Sequence, residues 1–361
     1  MIMNDGAVMN PKFKKILSLV VIILSLSVVV ILAFSNRELG DAWDAIRRMN
    51  IGWLVCIFLC WLLYTFFEAV GTWSYLRSQR YPLSILRVTG TVLIGFYYSN
   101  ITPSAAGGQP MQVNSLRKAG IPVAYGTTAI TIRFVCNQLV ICLMALGMLA
   151  FNREFVFSQL GGAIWAVRIG WLINFAAVPL VLLAAFQRKL IQKLAEKIIA
   201  FSHRIRLIHD PEHVLHSVSE TLDTYQTALS ELLRAPGQIL LQLFFSAVSL
   251  IGLTATVVFT YYAFGLHGVP WYRIWTLSLL LFVSASYTPL PGASGAQEGG
   301  FLLYFNGIFT DGTIGLGLLV WRFFTYYIFL IVGAFTVLNE KVLLRRKEKA
   351  SAGQADQNHV K

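Results

Sequence analysis

Charge is scarce in this sequence. Only 13% of its residues are Asp, Glu, Lys or Arg, against 56% that are hydrophobic, and the mean hydropathy is +0.64. A chain of 361 residues with so little polar surface cannot cover a water-soluble globule, which points to an all-α polytopic membrane protein. Acids are scarcer than bases, 17 against 29, giving a net charge of +12. That surplus is no nucleic-acid footprint, because the bases fall in short connections between apolar runs, where a cytoplasmic leaflet requires them. Cysteine is sparse as well. Cys56, Cys60, Cys136 and Cys142 all lie inside apolar runs, without the spacing of a disulfide framework or a metal site, and read as small packing residues. No nucleophile with a base, paired catalytic carboxylates or HExxH pattern can be assembled, so no catalytic residue, metal or cofactor is expected.

Six apolar runs reach the ~20 residues that a spanning helix needs. They are 16–34, 51–75, 123–151, 164–186, 238–264 and 313–338. The first follows Lys12, Lys14 and Lys15 and is followed by no small-residue cleavage site, so it reads as an uncleaved anchor. Segment 83–119, between the second and third runs, and segment 271–308, between the fifth and sixth, are apolar but broken in the middle. Between the fourth and fifth runs, 187–236 is the one long polar insert. Asp210 and Pro211 open an amphipathic pattern there, and His209, His213 and His216 share a face that nothing else completes into a metal site. The tail 342–361 is polar and reads as disordered.

The two breaks are copies of each other. Pro103, Ala105, Gly107 and Gln109 match Pro291, Ala293, Gly295 and Gln297 at a constant offset of 188, and each break is followed by an Arg-Phe pair, Arg133-Phe134 and Arg322-Phe323. If each broken segment enters and leaves on one side, both termini are cytoplasmic, and the basic residues Arg77, Arg80, Arg87, Arg117, Lys118 and Lys341 all fall inside. A single membrane domain, 1–341, then divides into repeats at 12–151 and 164–341, the second upside down relative to the first. Two re-entrant helical hairpins would meet tip to tip near the midplane, where irregular backbone is tolerated only against protein or a water-filled cavity.

An arginine at the centre of a transmembrane helix costs about 2.5–3.5 kcal/mol on insertion scales, and such residues by default mark a pathway. Arg133 and Arg322 therefore either contact an anionic group or tie down a hairpin through loop carbonyls. Ser294 and Gln297 have capping-box spacing, and Gly107 and Gly108 would open the other half-helix, so that Gly107, Gly108, Gln109, Ser294, Gly295, Gln297 and Glu298 form anion-binding helix starts. Glu298 either caps its helix, pairs with an arginine or takes a proton. Glu68 has Thr256 at the matching offset in the second half and is a candidate partner for Arg133 or Arg322. Asn137 reads as glue between helices.

Asn100-Ile-Thr-Pro-Ser-Ala-Ala-Gly-Gly-Gln-Pro110 and Pro289-Leu-Pro-Gly-Ala-Ser-Gly-Ala-Gln-Glu298, each followed by an Arg-containing span, resemble the flippase-like transmembrane domain of the lysylphosphatidylglycerol synthase family. The resemblance covers about residues 12–341 and implies a bacterial plasma-membrane flippase for an anionic or aminoacylated phospholipid, without the cytosolic synthase domain. Gln109 stands where that family often has an acid. The expected partners are a phospholipid and the bilayer, with no nucleic acid, and assembly into a homo-oligomer stays open. Two other readings stay open at this stage, a lipid-modifying transferase such as a phosphatidylglycerol lysyltransferase, and a secondary transporter for a small anion.

Overall fold

The computed structural model describes residues 49–187 and 234–342 except 287, 311 and 312, with isolated positions at 47 and between 188 and 233. The anchor at 16–34, the tail and nearly all of the polar insert, including its three histidines, lie outside the described residues. The rest is helical, with no strand among the described residues beyond one isolated bridge, Asn306 to Phe309.

In chain order the helices are α1 (Ile51–Ser78), α2 (Ile85–Ile101), α3 (Gly108–Lys118), α4 (Val123–Phe151), α5 (Arg153–Leu160), α6 (Ile164–Phe186), α7 (Pro236–Ala263), α8 (Trp271–Ala285) and α9 (Ala296–Tyr304). The last, α10, starts as Ile314–Arg322, passes through a π turn at Phe323–Tyr327 and runs on to Val342. Five described helices are long and apolar enough to cross a bilayer, which matches the five expected spans that fall in this region. Their starts follow local chemistry. The Asn50 side chain accepts the Gly52 N–H at 2.9 Å, the Ser84 hydroxyl accepts that of Arg87 at 3.3 Å, and Pro236 stands in the first turn of α7.

Each broken segment is a helical hairpin. In α2–α3, Thr91 and Ser115 share a hydrogen bond of 3.1 Å between hydroxyls, and the arms approach so closely that a Cβ on Gly108 would lie 1.9 Å from the Ser99 hydroxyl. In α8–α9 the Tyr304 hydroxyl donates to that of Ser284 at 3.0 Å, and a Cβ on Gly300 would lie 2.4 Å from Leu281. The turns at Pro103–Ala105 and Pro291–Ala293 have the same backbone: Ser104 and Ala105 have φ of 51° and 56°, Gly292 and Ala293 of 61° and 50°. These positive values recur at the 188-residue offset, and the two turns pack against each other.

The most extensive pairing among the described helices is between α1 and α7, which run antiparallel. The Asn50 N–H donates to Ala263 O at one end, and the Gln242 amide donates to Gly71 O at the other. At the crossing, Gly252 faces the backbone of its offset counterpart Tyr64, and a Cβ there would lie 3.1 Å from the Tyr64 nitrogen.

Helix ends gather on two faces. On one, Arg87 and Lys118, at the two open ends of the first hairpin, bind Glu340 near the end of α10. On the other, Asn152 after α4 donates to Thr276 of α8 at 2.8 Å, and Gln159 donates to the carbonyls of Tyr304 and Asn306. Each hairpin therefore starts and finishes on one face. One element departs from expectation. Residues 153–160, outside the expected spans, form α5, and the fourth span begins earlier than the expected 164, as Arg153–Leu183.

Candidate functional site

The turn of the second hairpin is held by two buried ionic side chains. Glu298, fully buried, accepts Arg322 Nε at 2.6 Å on one oxygen and the Gly295 N–H at 2.6 Å on the other. Arg322 Nη2 donates to Gly292 O at 3.1 Å, so the arginine joins helix start and turn. Glu298 therefore caps and pairs at once. The helix begins one residue later than the Ser294/Gln297 spacing predicts: Gly295 is the N-cap and Glu298 the third helical residue. Glycine has no side chain to complete a reciprocal box, so only the glutamate half forms. Ser294 turns back instead and donates to Pro291 O at 2.9 Å.

Arg322 is followed by the π turn, a feature found often at functional sites. It presents Tyr326 to the Arg322 guanidinium, whose carbon lies 4.9 Å from the ring centroid, and the Tyr326 hydroxyl donates to Asn100 O of the first hairpin at 3.3 Å. Gly292 is required here. Its φ is +61°, and a Cβ would lie 2.1 Å from the Tyr326 ring. Gly292→Ala should overpack the contact by about 1–3 kcal/mol and lower the thermal midpoint in detergent by several degrees, while Ser104→Gly at the counterpart should not.

Arg133 sits in a second cluster built by α1, α4 and α7. Its Nη2 pairs with Glu68, and its Nη1 donates to the Ser246 hydroxyl at 3.2 Å. The same Glu68 oxygen, Oε1, also accepts from Asn137 Nδ2 at 2.9 Å and Ser249 at 3.0 Å. Gly71 makes room, since a Cβ there would lie 2.5 Å from Arg133 Nη1. Of the two partners open to Glu68, the structure selects Arg133.

The candidate residues thus form two groups. Arg322, Glu298, Gly295, Ser294 and buried Gln297 surround the second turn, which packs against the first turn at Pro103–Ala105 and against α2, while Gly107 and Gly108 lie against Thr102 and Ser99 and Gln109 is exposed. Arg133 and Glu68 stand apart, with no hydrogen bond to either turn among the described residues. The halves also differ in where the carboxylate comes from. Glu298 lies in the hairpin itself, where the first half has Pro110, whereas Glu68 lies on a spanning helix, where the second half has Thr256.

Sequence reasoning passed over two polar anchors. Asn174, buried in α6, donates to Val283 O at 3.2 Å and Ser286 at 2.8 Å and accepts from Gln138 at 2.9 Å, which fixes the end of α8. Glu340 gathers Arg87, Ser115 and Lys118. An amide in an apolar run was a signal for the first; the second was hidden beside the basic end of the chain.

Residues 15–333 match the family described as lysylphosphatidylglycerol synthase TM region. A UPF0104 membrane protein from Archaeoglobus fulgidus is 24% identical over 336 residues, covering 88% of this chain and 94% of that protein. The chain belongs to the lysylphosphatidylglycerol synthase transmembrane family and is a multi-pass membrane protein.

Proposed function

We propose that this member of the lysylphosphatidylglycerol synthase transmembrane family is a lipid translocase that moves an anionic phospholipid, phosphatidylglycerol or its aminoacyl ester, between the leaflets of the plasma membrane. The observation that carries this reading is the contact between the two turns, with Arg322 and Glu298 buried at it. Three hydrogen bonds from a guanidinium and a helix start show how densely donors converge there, and a headgroup phosphate is the lipid moiety that such donors recognise.

The recurrence of backbone geometry at offset 188 supports an inverted repeat. Counterparts touch each other at the turns and at the α1–α7 crossing, which is what a pseudo-twofold axis through both points would require. Rocking of one half on the other about that axis would alternate access. The basic residues gathered on the Glu340 face support reading it as the cytoplasmic one, with both termini inside.

Apolar lateral grooves favour a lipid over a small anion. One of about 620 Å³ is lined by Cys56, Leu59, Leu63, Phe66 and Phe259, and another of about 460 Å³ by Leu54, Leu319, Phe323 and Tyr327 close to Arg322. Acyl tails can follow such grooves while the headgroup crosses. The test is reconstitution in vesicles with tail-labelled phosphatidylglycerol and a membrane-impermeant quencher. Label should become accessible from the inner leaflet at a rate far above that of protein-free vesicles; an unchanged rate overturns the proposal. Formation of lysylphosphatidylglycerol from lysyl-tRNA by the same vesicles would replace it with a transferase.

A further inference from the structure

The two faces of the bundle treat their cations differently. On the Glu340 face Arg87 and Lys118 bind a carboxylate, and Arg117 donates to Asn114 at 3.2 Å. On the opposite face stand Arg153 in α5, Arg168 in α6 and Arg273 in α8, each lying over an aromatic ring instead. Their guanidinium carbons are 5.9 Å from the Phe157 ring centroid, 4.7 Å from that of Trp165 and 4.9 Å from that of Phe155. Among the described residues nothing accepts a side-chain hydrogen bond from any of the three, and Arg273 Nε is buried without a partner. Stacking occupies the flat face of a guanidinium and leaves the N–H donors on its edge free. Three donor edges lack an acceptor.

The surroundings decide what can supply one. Glu154 is the one acid that α5, α6 and α8 carry, and it stands in no ion pair among the described residues, so this surface stays positive. Phe151, Trp165 and Trp271 are exposed around it, as aromatic side chains are at the level of lipid headgroups. Arg168 belongs to the exposed stripe of α6, where Trp165, Arg168, Ile169 and Leu172 follow one another at helical spacing. Its guanidinium leans over Trp165, one turn nearer the helix start, which is how a cation on a lipid-facing helix reaches the headgroup layer. Apolar side chains lie on the other side of it, further into the span.

We infer that this surface holds anionic phospholipids of the adjoining leaflet, with the phosphate on Arg168 and an acyl tail along Ile169 and Leu172. Arg153 and Arg273 extend the positive surface on α5 and α8. A guanidinium edge matches two phosphate oxygens at once, and the stacked ring fixes the plane in which it does so. Zwitterionic lipids carry the same phosphate together with a cation that three unpaired arginines repel, so the anionic lipid is preferred. The inference goes beyond the translocase reading. The surface lies at the open ends of the second hairpin, the length of α8 away from its turn, and binding there requires no lipid to cross.

The test places the full chain in vesicles with a phosphatidylglycerol that carries a photoreactive acyl chain, and maps labelled peptides by mass spectrometry. Label should appear in 165–173, and unlabelled phosphatidylglycerol should suppress it several-fold more than phosphatidylcholine does. Arg168→Gln should lower labelling there about fivefold, the effect of one basic residue at an anionic membrane surface. Arg168→Lys keeps the charge without the planar edge and should fall between the two. Equal suppression by the two lipids overturns the inference, and so does unchanged labelling in Arg168→Gln. Crosslinks between copies of the chain in place of label in 165–173 would overturn it as well, by giving this surface to an oligomer. Because the competition arm uses unmodified protein, misfolding of a variant does not blunt it. Absence of translocation in the same vesicles would overturn the translocase reading alone.

Discussion

If the protein translocates lipid as proposed, Arg322→Gln should lower the rate on the order of 100-fold, as expected when an anion loses a buried guanidinium worth about 3 kcal/mol. Loss of activity alone would not establish the role, because the same substitution strands Glu298, which is fully buried and would keep only the Gly295 N–H. Removing one partner of a buried pair destabilises by about 3–5 kcal/mol. Glu298→Gln does the reverse damage, leaving Arg322 with the Gly292 carbonyl and the Tyr326 ring. The informative variant is the double one. Arg322→Gln with Glu298→Gln places two neutral amides where two charges stood, so its thermal midpoint should recover most of what either single change loses, a coupling of about 1–3 kcal/mol. Translocation should not recover with it. A double variant that is both stable and active would make Arg322 a clamp on the turn and nothing more.

What the sequence disclosed about this site follows from which signals are local. Spanning helices declare themselves by length and hydropathy, and the paired turns by two prolines, two sets of glycines and a constant offset. The structure keeps both. The partner of Glu68 was undecidable because pairing depends on how α1, α4 and α7 cross, and the offset pointed to Thr256, which carries no charge. The π turn left no trace, since Phe323–Tyr327 differs from helix only in hydrogen-bond register, set by Tyr326 reaching Asn100 and Gly292 on other segments. The helix start at Gly295 was misplaced by one residue because a serine and a glutamine imitated a cap that a glycine with φ +88° and a buried glutamate supply. Helix α5 was hidden by its own composition. Arg153, Glu154 and Gln159 interrupt the apolar sequence there, yet Val156 and Leu160 on the same helix are buried against the second hairpin's core.

Glu340→Ala should free the first hairpin and leave the second alone. The Glu340 carboxylate accepts Arg87 Nη2 at 2.9 Å, the Ser115 hydroxyl at 2.7 Å and Lys118 Nζ at 3.2 Å, binding the end of α10 to both arms of the hairpin. Asn152, its counterpart at offset 188, ends α4 and donates to Thr276 on the first arm of the other hairpin. The last helix of each half thus clasps the hairpin of the other half, once through an ionic network and once through a neutral hydrogen bond. The ionic clasp is the stronger, but Arg87 and Lys118 are 31% and 29% exposed, so solvent screening holds its worth to about 1–3 kcal/mol. The neutral one is worth about 1 kcal/mol. Hydrogen exchange reads both. In Glu340→Ala, amides of α2 and α3 should exchange about 10-fold faster while those of α8 and α9 keep wild-type rates; Asn152→Ala should reverse the pattern with a smaller amplitude. Equal acceleration of both hairpins in either variant would mean that the clasps support the bundle as a whole. Separate responses would mean that each face opens independently, the property that rocking between two access states demands, with the Glu340 face the harder to open.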